Sequence, residues 1–457
     1  MISTWRTRRA MRRAAKKTTI TLGGNENVEL SIPAHFRCPI SLDLMKDPVT
    51  LSTGITYDRE SIEAWIDAGN RTCPVTNQPL RSGSTGQDEL IPNHTIRRMI
   101  QDWCVDNRSN GVERIPTPRI PVSTVVVLEM LSAITEAAGQ GDLNECKKLL
   151  EKMKNSMKES ERNKRRVVAN GAAGVLADAF DVLATNSFSP SAPILFENSK
   201  FVLEEILALL SLMRPLDSLS KSYLSSSQHS LRCMAWFLKC GDMPARRNAA
   251  LAIKELCSDP QHLNTIMTTN EFLEELIDPL FKLIKNPICA TSTKASLMSI
   301  YYLMSSKHDL RSRFVKTGMV PLILEMLVDS DKSVCEKGLG VFDEIIKCEE
   351  GIELAYNNAL TAPVLVKKLL RVSDLATEFA VSALWRLCEN GKNRNDGDVF
   401  VEVLQVGAFQ KLLLLLQVGC GEKTKNKATE LLKILNLHRT RAECIESVDF
   451  KDLKRPF

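Results

Sequence analysis

The sequence contains no Cys-x-x-Cys pair, only six histidines, and an odd number of cysteines, thirteen. A cross-braced zinc module needs eight Cys or His ligands in short pairs, so this spacing excludes that kind of site. No secretory signal precedes the cysteines, and they read as reduced thiols packed as small hydrophobes, which points to the cytosol or nucleus. Long apolar runs are missing as well: the all-leucine run Leu412 to Leu416 is fenced by Lys411 and Gln417, far short of the roughly 20 residues needed to span a bilayer. Acidic residues are absent before Glu26, where Arg6, Arg8, Arg9, Arg12, Arg13, Lys16 and Lys17 supply most of a modest net charge of +5. That arm reads as a solubilising, disordered tail over residues 1–29, and with no aromatic interleaving beyond Trp5 it gives no support to nucleic-acid binding. Aromatics are scarce, at 5%, while hydrophobic residues reach 44%, and Leu and Ala dominate the second half, as in helices packed on helices.

Residues 30–106 differ from the rest in mixing Pro, Gly and Asp turns with short β-branched runs, which indicates a small α+β module. Val49-Thr-Leu and Ile55-Thr-Tyr57 flank Ser52-Thr-Gly54, a hairpin with glycine available for positive φ. Asp58 is placed to cap a helix with an inner face of Ile62, Trp65 and Ile66, closed by Gly69-Asn70. Asn93 is placed to cap a second, with Ile96, Met99, Ile100 and Trp103 on the packing face. Residues 107–123, with Pro116, Pro118 and Pro121, read as a semi-rigid linker.

From Thr124 to residue 457 amphipathic helical patterns recur. Small anchors followed by apolar residues at +3, +4 and +7 occur at Ala249, Gly338, Ala380 and Ala428, with a weaker copy at Ala295; successive anchors lie 46, 43, 42 and 48 residues apart. This is the period of armadillo and HEAT arrays. Between the anchors, Gly318-Met-Val-Pro321 and Ala362-Pro363 set proline early in a helix, where its missing N–H costs nothing, and Gly407-Ala-Phe opens a third such unit. These openings resemble armadillo repeats; copies before residue 245 are too degenerate to count.

Cys38-Pro39-Ile40, Met45-Lys-Asp47-Pro48-Val49, Gly54-Ile-Thr-Tyr57-Asp-Arg59, Trp65, Cys73-Pro74-Val and Leu90-Ile-Pro92-Asn93 together resemble the U-box family, and most nearly the plant U-box/armadillo ubiquitin ligases. The resemblance implies a fold class of a small α+β U-box, RING-like without zinc, followed by an all-α armadillo-type solenoid. It implies no cofactor and no covalent ubiquitin intermediate. Hydrogen bonds and ion pairs would replace metal, with Ser41, Asp43, Asp58, Arg59 and Glu89 as polar candidates. A ubiquitin-charged conjugating enzyme (E2) would dock on an apolar groove made here by Ile40, Leu42, Trp65 and Pro74, and a protein substrate would be held by the repeats. Asn77 stands where relatives often carry a cation that contacts both E2 and ubiquitin. Homodimerisation stays open.

Covalent catalysis is a rival reading, but Cys38 and Cys73 each precede proline in tight loops with no base dictated nearby. A second rival is a non-catalytic armadillo adaptor with a decayed U-box. Transport adaptors of that fold carry Trp-x-x-x-Asn arrays, whereas Trp236 is followed at +4 by Cys240 and Trp385 by Glu389.

Overall fold

A computed structural model of the chain describes residues 32–80, 90–115, 122–187, 193–393 and 398–449. The expected tail over 1–29, Glu89, and Pro116, Pro118 and Pro121 lie outside the described residues. Contacts divide the chain into one unit up to Ile120 and another from Pro121.

The first unit is built on a three-stranded antiparallel sheet, β1 (Pro48–Thr50), β2 (Thr56–Asp58) and β3 (Ile91–Pro92), in the order β2-β1-β3. Val49 stands opposite Tyr57 on one side and Pro92 on the other. The hairpin closes at Gly54, whose φ of +81° is cheap only for glycine. Helix α1 (Arg59–Asp67) follows β2 directly, and α2 (His94–Asp106) follows β3, its first turn capped by Asn93 Oδ1 accepting from the Ile96 N–H at 3.0 Å. Phe36, Met45, Val49, Tyr57, Ile62 and Ile100 form the core with Cys38, Cys73 and Cys104.

Three local expectations are corrected. Asp58 occupies the N-cap position of α1 but makes no capping bond; its Oδ1 accepts instead from the backbone N–H groups of Lys46 and Asp47 at 2.8 and 2.9 Å. Two amides presented by the preceding loop outcompete the helix end. Met99 is 45% exposed, so the packing face of α2 is Ile96, Ile100 and Trp103. The linker is shorter than expected, because Val112 and Ile115 pack on the first core and Gln101 donates to the Ile115 carbonyl at 3.5 Å, while Val122 already packs on the second core.

The second unit is a solenoid whose single hydrophobic core runs from Val127 to Leu435. Every small anchor falls on one helix of a recurring series: Ala249 on α3 (Met243–Cys257), Ala295 on α4 (Ala290–Ser306), Gly338 on α5 (Lys332–Ile345), Ala380 on α6 (Asp374–Asn393) and Ala428 on α7 (Glu422–Asp449). These five helices pack in succession, and the anchors are buried. At Gly338 the neighbouring helix comes close: a Cβ there would lie 2.7 Å from the Met326 terminal methyl and 3.3 Å from Leu327 Cδ2. Pro321 and Pro363 each take the third position of a helix, Met319–Asp329 and Thr361–Lys368, among the N–H groups that lack an intrahelical acceptor. Gly318 and Gly407, at φ +87° and +81°, turn the chain into the helices that follow them. Helical packing extends upstream of residue 245, through Thr124–Gln140 against Ala172–Ser187, although the small-anchor signal there is weak.

Candidate functional site

Two loops of the first unit are copies of one another. In Cys38-Pro39-Ile40-Ser41-Leu42-Asp43 the Cys38 N–H donates to the Asp43 carbonyl at 2.9 Å, the Leu42 N–H to the Cys38 carbonyl at 2.8 Å, and the Asp43 N–H to Ser41 Oγ at 3.4 Å. In Cys73-Pro74-Val75-Thr76-Asn77-Gln78 the same three bonds recur: Cys73 N–H to the Gln78 carbonyl at 2.8 Å, Asn77 N–H to the Cys73 carbonyl at 2.9 Å, and Gln78 N–H to Thr76 Oγ1 at 3.4 Å. Each loop is closed by an antiparallel bridge, Arg37 with Leu44 and Thr72 with Pro79. Both place their fifth residue in the left-handed region, Leu42 at φ +63° and Asn77 at +55°.

Asparagine tolerates that region; leucine gains nothing there and pays in Cβ crowding, about 1 kcal/mol. Leu42 is also 49% exposed, so the strain is not offset by core packing. Ile40 and Trp65 are half-buried and rest on the core, and Pro74 is half-buried on the second loop. The Trp65 indole N–H donates to the Thr72 carbonyl at 2.9 Å and Asn70 Nδ2 to the Trp65 carbonyl at 2.9 Å, tying α1 to the second loop. Asn77 is exposed, and its side chain takes part in no hydrogen bond among the described residues. Sequence reasoning passed over Val75, the counterpart of Ile40, which is 53% exposed. The signal for it was the repeated Cys-Pro-(Ile/Val)-(Ser/Thr).

Beneath the loops lies a thiol cluster. Tyr57 OH and Cys73 Sγ are 3.0 Å apart and Thr53 Oγ1 donates to the same sulfur at 3.5 Å. Burial would push the Cys73 thiol up, but hydrogen bonds from Thr53, Thr76 and Tyr57 outweigh it and bring the pKa to about 6. Burial, with the Cys73 contact second, pushes the Tyr57 phenol up. Neither Cys38 nor Cys73 exposes any surface, so neither is open to a ubiquitin C-terminus.

At the opposite end of β1 the charged groups meet. Asp47 accepts from Arg59 Nε at 2.7 Å through Oδ2 and from Arg97 through Oδ1, with the side chains of all three at most 21% exposed. The Arg59 N–H also donates to the Asp47 carbonyl at 2.9 Å. Of the polar residues expected to replace metal, Asp58 and Arg59 belong to this network, whereas Ser41 and Asp43 are exposed and act locally. Asp47 and Arg97 were not anticipated. Among the described residues no group of three or more His, Cys, Asp or Glu side chains converges as a metal site. Elemental analysis of the purified protein is expected to find no stoichiometric zinc, and a strong chelator to leave its melting temperature unchanged; chelator-induced unfolding would contradict this.

Two families match the chain, the U-box domain over residues 32–109 and the plant U-box protein ARM repeat region over residues 125–455. The U-box domain-containing protein 21 of Arabidopsis thaliana is 44% identical over 99% of this chain and 99% of its own length. The E3 ubiquitin-protein ligase PUB22 of the same plant is 33% identical over 89% of this chain and 94% of its own length. Among solved structures, a designed armadillo repeat protein aligns with 56% of this chain and 99% of its own, at 17% identity and a TM-score of 0.43. Domain order and full-length likeness agree: the chain belongs to the plant U-box/armadillo-repeat family, which includes proteins named as E3 ubiquitin-protein ligases.

Proposed function

We propose that this protein is an E3 ubiquitin ligase that docks a ubiquitin-charged E2 on the paired loops and α1 of the U-box and directs ubiquitin to lysines of a protein held by the armadillo repeats. The observation that carries this reading is Leu42, an exposed apolar side chain kept in a costly backbone conformation. Strain without a packing return is a mark of a binding residue. Ile40, Trp65 and Pro74 supply the rest of the apolar surface, and Val75 joins them by its exposure. A small patch of this kind suits a partner that must leave once discharged. Because Cys38 and Cys73 are closed to solvent, the thioester stays on the E2, and the ligase contributes proximity and restricted geometry rather than a nucleophile.

The test is self-modification by the full chain with ubiquitin, an activating enzyme and a panel of conjugating enzymes. Polyubiquitinated product supports the proposal; a folded chain inert with every E2 would return the protein to the class of non-catalytic adaptors. Asn77 refines the reading. It is short, neutral and unbonded, so Asn77→Ala is expected to leave thioester discharge nearly unchanged. Asn77→Arg adds a five-donor fork able to grip two partners and is expected to raise discharge about tenfold. Loss of discharge in Asn77→Ala with E2 binding preserved would make the asparagine itself the activating contact.

A further inference from the structure

Between Arg71 and Leu80 the second loop of the U-box buries a single side chain, Cys73; Pro74 and Leu80 are half-buried and the rest are exposed. The first loop, its copy, has a broader footing, with Phe36, Cys38 and Met45 all buried and Ile40 and Leu44 resting on the core. What holds the second loop is gathered at one sulfur. Cys73 Sγ takes hydroxyls from three directions: Thr53 at the hairpin tip at 3.5 Å, Tyr57 on β2 at 3.0 Å, and Thr76 in its own loop. The Val75 backbone N–H in turn acts as a donor to the Tyr57 oxygen, so loop amide, phenol and sulfur form one chain.

A sulfur packed as a small hydrophobe sits among carbon atoms, whereas one that collects three hydroxyls is an acceptor. The hydroxyls outweigh burial and bring the thiol from an ordinary 9 to about 6. At neutral pH the acceptor is therefore a thiolate, and hydrogen bonds to an ionised acceptor are about twice as strong as neutral ones. The ionisable groups around it are Tyr57 on β2 and, acting on Tyr57, Cys38 of the first loop. The hairpin presents Thr53, and α1 the Trp65 indole bonded to the Thr72 carbonyl; neither of these titrates.

We propose that Cys73 is a positioning residue for E2 docking: its sulfur is the shared acceptor that fixes the second loop against β2 and the hairpin, and so sets where Pro74 and Val75 stand relative to Ile40 and Leu42. This rests on the reading that the two loops receive the E2, and it adds which buried group holds the docking surface together. A loop of exposed residues fixed beforehand loses less conformational freedom when the partner arrives. The tether is present above about pH 6 and is lost as pH falls through that value and the thiolate takes up a proton.

The experiment compares the full-length protein with Cys73→Ala, Cys73→Asp and Tyr57→Phe. It reads the Kd for an uncharged E2 from about pH 5 to about pH 8, and hydrogen–deuterium exchange of residues 71–80 at neutral pH. Cys73→Ala removes the acceptor but stays small and apolar; it is expected to weaken E2 binding about tenfold and to speed exchange of the second loop. Cys73→Asp restores a small anionic acceptor and is expected to recover both. As pH falls through about 6 the parent is expected to lose affinity, while Cys73→Asp, whose side chain ordinarily titrates near about 4, holds it. The ratio of the two removes any titration of the E2 itself. Tyr57→Phe deletes a donor to the thiolate, so the midpoint of the loss moves to higher pH. A sulfur that merely fills space predicts the opposite order: Cys73→Ala binds like the parent and Cys73→Asp, a buried carboxylate, unfolds the U-box. That order overturns the proposal, as does equal binding by the Ala and Asp variants or one pH profile shared by the parent and Cys73→Asp. A parent that binds no E2 overturns the docking reading and this inference with it, a result distinct from failure of the tether alone, in which the parent still binds.

Discussion

Leu42→Asp is expected to abolish E2-dependent ubiquitin discharge while leaving the U-box at least as stable as the parent. Docking would force a carboxylate into an apolar contact without a partner, a penalty of about 2–4 kcal/mol, or ~30- to 1000-fold in affinity. The fold has little to lose at this position: the side chain is 49% exposed and the backbone sits at φ +63°, a region aspartate visits more readily than leucine. This separation of docking from folding is what makes Leu42 the better probe. Ile40→Asp is expected to reduce binding as well, but Ile40 is half-buried against the core, so part of its effect would be loss of stability. The measurement pairs the Kd for the uncharged E2 with single-turnover discharge of a preformed E2–ubiquitin thioester to free lysine. A folded Leu42→Asp protein that discharges at the parental rate would remove the first loop from the docking surface.

Asp47→Ala is expected to destabilise the U-box by about 3 kcal/mol, because it leaves Arg59 and Arg97 partly buried with their shared counter-charge gone. The side chains of these arginines are 11% and 15% exposed, and that of Asp47 is 21% exposed, so solvent screens the defect only in part. Arg59 retains Glu63 at 3.8 Å, which is too distant to replace a bond of 2.7 Å. For a domain of this size the loss corresponds to a fall in melting temperature of about 15 °C. Asp47→Asn keeps the acceptor oxygen and is expected to lose less. The solenoid has a separate core, so its unfolding transition should not move. Calorimetry of the three proteins decides the matter: parental melting of Asp47→Ala would show that the U-box does not depend on this ionic cluster.

The features legible in the sequence were those that depend on neighbours along the chain. The β1–β2 hairpin rests on a glycine between two β-branched runs, and the α2 cap on an asparagine three residues before the amide it accepts from. The armadillo period rests on small residues recurring at intervals of 42 to 48 positions, each buried on a helix that packs against the next helix of the series. The apolar surface at Ile40, Leu42, Trp65 and Pro74, and the place of Asn77 beside it, came from resemblance, and the structure gives each a setting without testing its role.

Composition, periodicity and turn chemistry determined by themselves that a small α+β module precedes a helical repeat array, since backbone preference and hydrophobic spacing act over a few residues. Tertiary structure alone decided who pairs with whom. Asp58 turned from the helix end to the Lys46 and Asp47 amides, and Asp47 gathered an arginine 50 residues away. The left-handed turn at Leu42, the exposure of Val75 and the unpaired donors Arg386 Nε and Asn390 Nδ2 on α6 were equally invisible. Hydrogen bonds, ion pairs and burial are settled by which groups packing brings within a few ångströms, and separation along the chain carries no record of that distance.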